Sequence, residues 1–328
     1  MRARVPRRER GAALLAVLLL VAITGAVAAA ALESLRLSRG IAENAAALEQ
    51  ARAYADGVEQ LALLTLDDRI AESPDRTTLD GNWNGALRRV AFPDGAVAEM
   101  RVRDGGNCFN VNSVVEGDPR TRLARRPSGV SQFAGLMTAL GVAQTEAGRI
   151  AEAAAGWVDS DADPGPAGAE DPAYAAGEAP YRTGNTLFAD PGELRALAGM
   201  SPDLYRRLRP WLCALPTSDL SPLNINTLLP EQAPLLAMLA PGQLSVEGAR
   251  AVIAGRPSGG WANQVEFWRI EALSELNVPL DIQVQPQLRT YWFALEIAVM
   301  VGEARFDEHL LVDARLQPSR AIARRWGE

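Results

Sequence analysis

The sequence predicts an α+β protein: a long N-terminal helix packed on an antiparallel sheet, with a large all-α domain inserted into that sheet. Its 328 residues, of which 48% are hydrophobic, are more than one ordinary core requires. No proline lies between Pro6 and Pro74, so a helix can run through that whole stretch. Strand-like segments then lie on both sides of a helical block of about 150 residues, which indicates a domain inserted into a sheet.

The N-terminus combines positive charge with a long apolar run. Residues 1–10 hold five arginines and one glutamate, and Gly11 to Leu32 are 22 residues without a charge. At about 1.5 Å per residue in a helix, this run can cross a bilayer core of about 30 Å. The arginines before it and the acidic chain after it place the N-terminus in the cytoplasm and the rest of the chain across the membrane.

Three interpretations of this segment are open: a cleaved secretory signal, a signal anchor, and a leader of the prepilin type that is cut between Gly11 and Ala12. Small residues such as Ala28 and Ala30 are compatible with the first. We favour the third, because apolar residues continue past the span at helical spacing. They are Leu37, Ile41, Ala45, Leu48, Ala51, Ala55, Val58 and Ala62. A single helix from Ala12 to Asp67 would be about 84 Å long.

The head is predicted from two groups of strands. Leu87–Phe92 and Ala96–Arg103 flank a Pro-Asp-Gly turn, which is typical of a β-hairpin. After Pro286, apolar residues alternate along one face of Tyr291–Val301, and a turn leads to a second strand, Phe306–Leu316. Between the two groups, joints rich in proline and glycine separate candidate helices. The candidates are Ser131–Leu140, Gln144–Trp157, Pro191–Leu197, Pro202–Leu208, Gln232–Leu239, Val246–Ala254 and Gln264–Arg269.

The basic residues and cysteines limit the possible chemistry. All 33 basic residues are arginine and His309 is the only histidine, which excludes lysine nucleophiles, lysine general bases and two-histidine metal sites. We therefore expect a protein that is not an enzyme. Cys108 and Cys213 are the only cysteines, and outside the cytoplasm they can form a disulfide between the sheet region and the inserted domain. Two separate buried thiols are the alternative, and export favours the disulfide.

The acidic loop, residues 157–174, carries the sharpest chemical signal. It reads WVDSDADPGPAGAEDPAY and has no arginine between its carboxylates. The candidate ligands are Asp159, Asp161, Asp163, Glu170 and Asp171. Crowded carboxylates repel or take up protons, and an oxygen-only set suits Ca2+, so we expect a structural calcium ion. Pro164 stands where an EF-hand loop needs glycine, so the loop is not an EF-hand. A solvated acidic loop is the alternative.

The segment 223–275 is similar to the helix-hairpin-helix repeats of DNA-binding competence proteins. It shares their N-x-N-T opening, an alanine-rich helix and a G-G-aromatic turn. Its hairpin has one glycine, only Arg250 and Arg256 lie nearby, and the chain is acidic, which opposes binding to a polyanion. We favour a packing module and expect no nucleic-acid partner. A membrane-tethered DNA-binding protein and an exported calcium-dependent hydrolase are the alternatives.

Six segments follow one another in a characteristic order and spacing. They are RRERGAALLAVLLLVAITG at the N-terminus, CFNVNSV at 108–114, WVDSDADPGPAGAED at 157–171, YRTGN at 181–185, LCALP at 212–216 and LNINT at 223–227. Together they resemble the GspK family of minor pseudopilins of type II secretion systems along nearly the whole chain. The resemblance implies a type IV pilin-like (pseudopilin) fold with a large inserted domain.

The resemblance also implies how the chain is divided and processed. It implies a leader at 1–11, a transmembrane helix at 12–32, an amphipathic helix at 33–72, head segments at 73–115 and 281–328, and an inserted α-domain at 116–280 with bound calcium at the acidic loop. The prepilin peptidase would cut after Gly11, and Ala12 would be methylated. Ala12 replaces the usual phenylalanine, and Ala16 replaces a glutamate that most pilins carry and this branch lacks. A carboxylate in the bilayer is costly when no neighbouring subunit pairs with it.

The same resemblance implies a place in the secretion machine. The protein would sit in the bacterial inner membrane by a single span, with a cytoplasmic N-terminus and a periplasmic head. After assembly it would cap the tip of the periplasmic pseudopilus in a complex with other minor pseudopilins, and so support export of folded proteins across the outer membrane. The major pseudopilin, the inner-membrane assembly platform and the prepilin peptidase are the further partners that it implies.

Overall fold

A single long helix opens the described chain. The computed structural model describes residues 7–327, except 162–164, 166–168, 170 and 177–179. Residues 1–6 of the expected leader, and the candidate ligands Asp163 and Glu170, therefore lie outside the described residues. The helix α1 (Arg7–Glu72) runs without a break from the apolar segment into the head. The continuous helix predicted from the proline-free stretch is confirmed.

After α1, short strands and helices alternate along the chain. In chain order they are β1 (Leu87–Ala91), β2 (Val97–Asp104), β3 (Phe109–Asn110), β4 (Val115–Asp118), β5 (Arg122–Arg125), α2 (Pro127–Ala139), α3 (Gln144–Val158), α4 (Asp171–Ala175), α5 (Pro202–Leu208), β6 (Leu212–Cys213), α6 (Ala233–Ala237), α7 (Val246–Ala254), α8 (Gln264–Trp268), α9 (Glu271–Ser274), α10 (Leu280–Gln283), β7 (Trp292–Val301), β8 (Ala304–Asp313) and β9 (Arg320–Trp326). Short 3-10 helices lie at Val111–Val114, Pro191–Ala196, Arg209–Trp211 and Pro230–Gln232. The candidate helices of the sequence correspond to α2, α3, α5, α6, α7 and α8, and to the 3-10 helix at Pro191–Ala196.

The head sheet is antiparallel and has the strand order β1-β2-β7-β8-β9. β2 and β7 are neighbours, with Asp104 opposite Phe293, although the whole helical domain lies between them in sequence. Leu295, Ile297 and Val299 of β7 are buried beneath α1, on the face that their alternation predicts. The α+β architecture with an inserted helical domain is confirmed.

Three hydrophobic clusters follow from this arrangement. Two of them lie between α1 and the sheet. The third belongs to the inserted domain and extends in sequence from Phe109 to Ile282. It includes Val111, Val114 and Val115, which the sequence analysis assigns to the head. Gly129 of α2 explains the close packing there, because a Cβ atom at this position would lie 1.8 Å from the carbonyl oxygen of Ser113.

The edge strand β9 is absent from the sequence prediction. It reads RAIARRW, and most of its side chains are exposed, so it lacks the apolar alternation that marks a half-buried strand. Its backbone pairs antiparallel with β8, and its position is fixed by tertiary contacts with α1 that the local sequence does not show.

Candidate functional site

The N-terminal half of α1 is apolar and uncovered. From Gly11 the helix is long and apolar enough to cross a membrane, and in its 18-residue window of mean hydropathy 2.6 no residue is buried. Gly11 and Ala12, the residues on either side of the predicted cleavage point, lie in this exposed part of α1. An uncovered apolar helix of this length fits a membrane anchor.

The predicted apolar stripe of α1 divides into two parts. Ala51, Ala55 and Val58 are at most 3% exposed and pack on the sheet. Leu37 and Ile41, on the same stripe but nearer the N-terminus, are 62% and 71% exposed. Within this chain the sheet thus covers only the part of the stripe that follows Leu48, and the earlier part presents an apolar face.

Polar contacts attach the C-terminal part of α1 to the C-terminal segment of the chain. The Arg324 guanidinium of β9 donates to both carboxylate oxygens of Glu59, at 2.6 and 2.8 Å. Asp67 accepts hydrogen bonds from the backbone N–H and the hydroxyl of Ser319, at 3.0 and 2.5 Å. Glu59 is buried, so its contact with Arg324 offsets part of the cost of removing a carboxylate from water.

The acidic loop begins and ends at well-defined positions. Asp159 follows the last residue of α3 and is 4% exposed, and the exposed Asp161 lies 4.0 Å from the guanidinium of Arg122. Asp171 is the first residue of α4 and accepts hydrogen bonds from the backbone N–H and the hydroxyl of Thr183, at 2.9 and 3.0 Å. These two bonds hold the pKa of Asp171 below its ordinary value, so this carboxylate is ionised at neutral pH.

The donor chemistry of the loop fits calcium. Asp159 is a buried carboxylate at the C-terminus of a helix, where the helix dipole is negative, so a nearby cation would stabilise it. Asp159, Asp161 and Asp171 offer only oxygen atoms, which calcium prefers over nitrogen or sulfur. Asp163 and Glu170, outside the described residues, would add to the same oxygen set.

The two ends of the loop meet through aromatic and backbone contacts. The rings of Trp157 and Tyr174 pack edge to face with centroids 5.3 Å apart, and the Asn185 N–H donates to the Trp157 carbonyl at 3.0 Å. Thr183 and Asn185 both belong to the YRTGN segment, which had no assigned role. Sequence reasoning did not identify these two residues, although their segment lies just beyond the acidic loop.

A disulfide and buried asparagines hold the inserted domain together. Cys108 and Cys213 are bonded, with Cα atoms 5.8 Å apart, and the bond stands beside the parallel pair of β3 and β6. The side chain of Asn110 accepts from the N–H of Leu215 at 3.1 Å and donates to the carbonyl of Thr217 at 2.9 Å. The CFNVNSV segment therefore fixes the chain around LCALP, which explains why the two segments occur together.

Asp104 joins the head to the inserted domain. Its carboxylate accepts hydrogen bonds from the hydroxyl groups of Thr227 and Thr290, the former at 2.6 Å, and from the N–H groups of Gly106 and Asn107. Burial raises the pKa of Asp104, while these four donors act in the opposite direction. Nothing in the local sequence distinguishes Asp104 from a surface aspartate.

The two arginines near the hairpin of the helix-hairpin-helix-like segment contact protein groups. The Arg256 guanidinium donates to the carbonyls of Ile225 and Leu228, at 3.2 and 2.7 Å, and Arg250 pairs with Glu247. Arg256 is thus committed to the fold, and the carboxylate of Glu247 offsets the charge of Arg250. These contacts favour the packing module over binding to a polyanion.

Comparisons with known proteins identify the family. A family model described as type II secretion system protein K matches residues 107–217, and a second model with the same description matches residues 223–288. The chain is 35% identical over 322 residues to type II secretion system protein K of Pectobacterium carotovorum subsp. carotovorum, an alignment that covers 98% of this chain and 97% of that protein. The chain belongs to the type II secretion system protein K family. The protein K of Klebsiella pneumoniae is 35% identical over 325 residues, covering 98% and 97% of the two chains.

A solved protein K structure shares this fold. The chain superposes with a TM-score of 0.73 on a chain of the GspK-GspI-GspJ complex from the type 2 secretion system of enterotoxigenic Escherichia coli. The two are 28% identical, and the match covers 85% of this chain and 96% of that one. The predicted membership of the GspK minor pseudopilins, with their pilin-like fold, is therefore confirmed.

Proposed function

We propose that this protein K caps the tip of the periplasmic pseudopilus, in a complex with other minor pseudopilins, and so supports export of folded proteins across the outer membrane. One observation carries the proposal: the inserted domain joins the sheet at the end farthest from the apolar half of α1. Ala98 and Val299, at the other end of the sheet, pack with the part of α1 around Ala51 and Ala55.

The distal end of the sheet is defined by a separate set of contacts. Phe293, opposite Asp104 where β2 ends, packs with Leu66 and Ile70 near the end of α1. The inserted domain starts directly after β2 and returns directly before β7, so its bulk lies beyond that distal end. A second subunit could not stack its own head on this surface, which restricts the protein to the end of a fibre.

The two parts of the α1 stripe fit a subunit that leaves the membrane to join a fibre. Ala12–Leu32 would anchor the protein in the inner membrane, with the arginine-rich end in the cytoplasm and the head in the periplasm. After the prepilin peptidase cuts between Gly11 and Ala12, this segment would enter the fibre core, delivered by the assembly platform. The exposed Leu37 and Ile41 would pack on the other minor pseudopilins, or on the major pseudopilin below them. This role requires no catalytic step.

Labelling of assembled fibres tests the tip position. An epitope inserted in an exposed part of the helical domain should place gold particles at one end of each isolated pseudopilus in electron micrographs. Particles distributed along the fibre would contradict the proposal. The interface is tested separately with Ile41→Asp, which should reduce co-purification of the other minor pseudopilins. Ala46→Asp, an exposed position on the charged side of the same helix and about one turn further along, is the matched control and should not.

A structural calcium ion at the acidic loop completes the proposal. Asp159, Asp161 and Asp171 would hold it together with Asp163 and Glu170. The ion would neutralise carboxylates that otherwise repel one another, and so would stabilise the fold where α3 leads to α4. Its support is the oxygen-only donor set and the buried position of Asp159 at the negative end of α3.

A further inference from the structure

Three carboxylates from distant parts of the sequence meet on the head beside α1. Asp56 and Glu59 lie three residues apart on α1, and Glu308 lies on β8. One carboxylate oxygen of each lies within 4.8 Å of the other two. Calcium holds its oxygen ligands at about 2.3–2.6 Å, so two ligands of one ion are at most about 5 Å apart. The three oxygens therefore have the spacing of ligands that share one ion.

Glu308 provides an independent indication that this cluster receives a ligand. Its side chain is 2% exposed, and the indole N–H of Trp326 donates to its Oε1 at 3.2 Å. The other oxygen, Oε2, is enclosed, and no residue that the structure describes donates a hydrogen bond to it. A buried carboxylate oxygen without a hydrogen-bond donor is rare in folded proteins, because the free energy lost on removing it from water is not offset by a hydrogen bond within the protein.

The charges around the cluster do not balance. Arg324 contacts both oxygens of Glu59, and its Nε lies 3.5 Å from Oε1 of Glu308, so it supplies one positive charge to three carboxylates. Burial, and then the negative charges of Glu59 and Asp56, raise the pKa of Glu308 against the opposing contributions of Trp326 and Arg324. A divalent cation would supply further positive charge to Asp56 and Glu308.

We propose that Asp56, Glu59 and Glu308 bind a divalent cation of the calcium type, at a site on the head that is separate from the acidic loop. Asp56 is exposed, so the ion can enter from solvent and water can complete its coordination. Zinc prefers nitrogen and sulfur ligands, and magnesium demands a stricter geometry than one helix and one strand offer. With three carboxylates at an open site, the dissociation constant should fall in the range of extracellular calcium modules, about 10⁻⁴ to 10⁻³ M.

The site would connect the helix of the fibre shaft to the C-terminal strands. Asp56 and Glu59 belong to α1 and Glu308 to β8, while Arg324 and Trp326 of β9 contact the same carboxylates. An ion bound here would therefore fix the edge of the sheet against α1, on the side of the exposed stripe that faces away from the membrane segment. Calcium would then stabilise the head as well as the inserted domain.

Calcium binding by the full-length protein in detergent micelles tests the proposal. Equilibrium dialysis with radioactive calcium up to about 10 mM, above the expected dissociation constant, measures the number of ions per chain. Asp56→Asn removes an exposed ligand without disturbing the core. It should lower the number of calcium ions bound per chain by one, and this difference does not depend on how many ions the acidic loop binds. Glu308→Gln should lower it equally. Asp68→Asn, an exposed aspartate on the same helix outside the cluster, should bind as many ions as the wild type.

Two results would overturn the proposal. The first is an equal number of bound ions in the wild type, Asp56→Asn and Glu308→Gln. The second is a Glu308→Gln variant whose melting temperature exceeds that of the wild type by the same amount in EDTA as in calcium. That result would show that Glu59 and Glu308 share a proton instead of an ion. The expected result is a calcium-dependent rise in the melting temperature that is smaller in Asp56→Asn than in Asp68→Asn.

Discussion

Asn226 binds both polar groups of the Trp261 backbone. The Trp261 N–H donates to Oδ1 of Asn226 at 2.7 Å, and Nδ2 of Asn226 donates to the Trp261 carbonyl at 3.1 Å. Gly260, just before the tryptophan, has a φ of +76°, and a Cβ atom there would lie 2.7 Å from the Asn226 amide. The second asparagine of LNINT and the turn after α7 therefore form one structural unit. This contact explains the G-G-aromatic motif without a nucleic acid.

Replacing Asn226 by aspartate should destabilise this unit strongly. The new carboxylate could still accept the Trp261 N–H, but it would place a buried charge against the Trp261 carbonyl oxygen. We expect a loss of about 3–5 kcal/mol in the free energy of unfolding, measured by urea denaturation. Asn263→Asp is the matched control: Asn263 is the exposed N-cap of α8, where aspartate caps equally well, so its effect should stay within about 0.5 kcal/mol. Equal losses in the two variants would show that the double hydrogen bond is not what stabilises the turn.

The buried position of Asp104 should make stability depend on pH. Burial raises the pKa of Asp104 in the folded protein above the ordinary 3.8. The contribution of Asp104 to the free energy of unfolding is therefore fully present below pH 3.8 and is lost as the pH rises through the folded pKa. Asp104→Asn removes the titrating group. The free energy of unfolding of the wild type, relative to this variant, should therefore increase as the pH is lowered from 7 towards 4. Urea denaturation at several pH values measures the difference, and a constant difference would contradict the prediction.

The contact between α1 and the sheet leaves no room for larger side chains. Ala55 is fully buried against the sheet, whereas Ala53 on the same helix is exposed. Ala55→Leu should force α1 away from the sheet and cost about 1–3 kcal/mol of stability. Ala53→Leu should change stability by less than about 0.5 kcal/mol. Thermal unfolding followed by circular dichroism compares the two variants, and a matching shift in both would show that the helix packs loosely.

The disulfide should contribute substantially to stability. Cys108 and Cys213 are 105 residues apart in sequence, and closing a loop of that length stabilises a protein by about 4–5 kcal/mol in the chain-entropy model, and by about 2–5 kcal/mol in practice. The double variant Cys108→Ser/Cys213→Ser should lose this amount in chemical denaturation. Adding reductant should lower the stability of the wild type to that of the variant, and should leave the variant unchanged.

The sequence predicted the elements whose signals are local. Proline spacing and apolar periodicity located α1, and the alternation from Tyr291 onwards located β7 and the face that it buries. Features that depend on distant contacts were not predictable. Glu308 is 249 residues from Glu59 in sequence, so no spacing rule brings the two carboxylates together. In the same way β9, which is rich in arginine, is a strand only because β8 and Glu59 hold it.

The calcium ion of the acidic loop was inferred from the composition of the loop and from the resemblance to the GspK family, and it remains a prediction with a clear test. Because the Asp56 cluster could bind calcium as well, the test belongs in the Asp56→Asn background. In that background, Asp159→Asn combined with Glu170→Gln should lower the melting temperature measured in the presence of calcium. The double change should also abolish the increase in melting temperature that calcium still causes in Asp56→Asn. Asp281→Asn in the same background, an exposed aspartate outside the loop, should keep that rise. If the melting temperature does not respond to calcium in the Asp56→Asn background, with or without the two loop substitutions, the proposed calcium ion at the acidic loop is wrong.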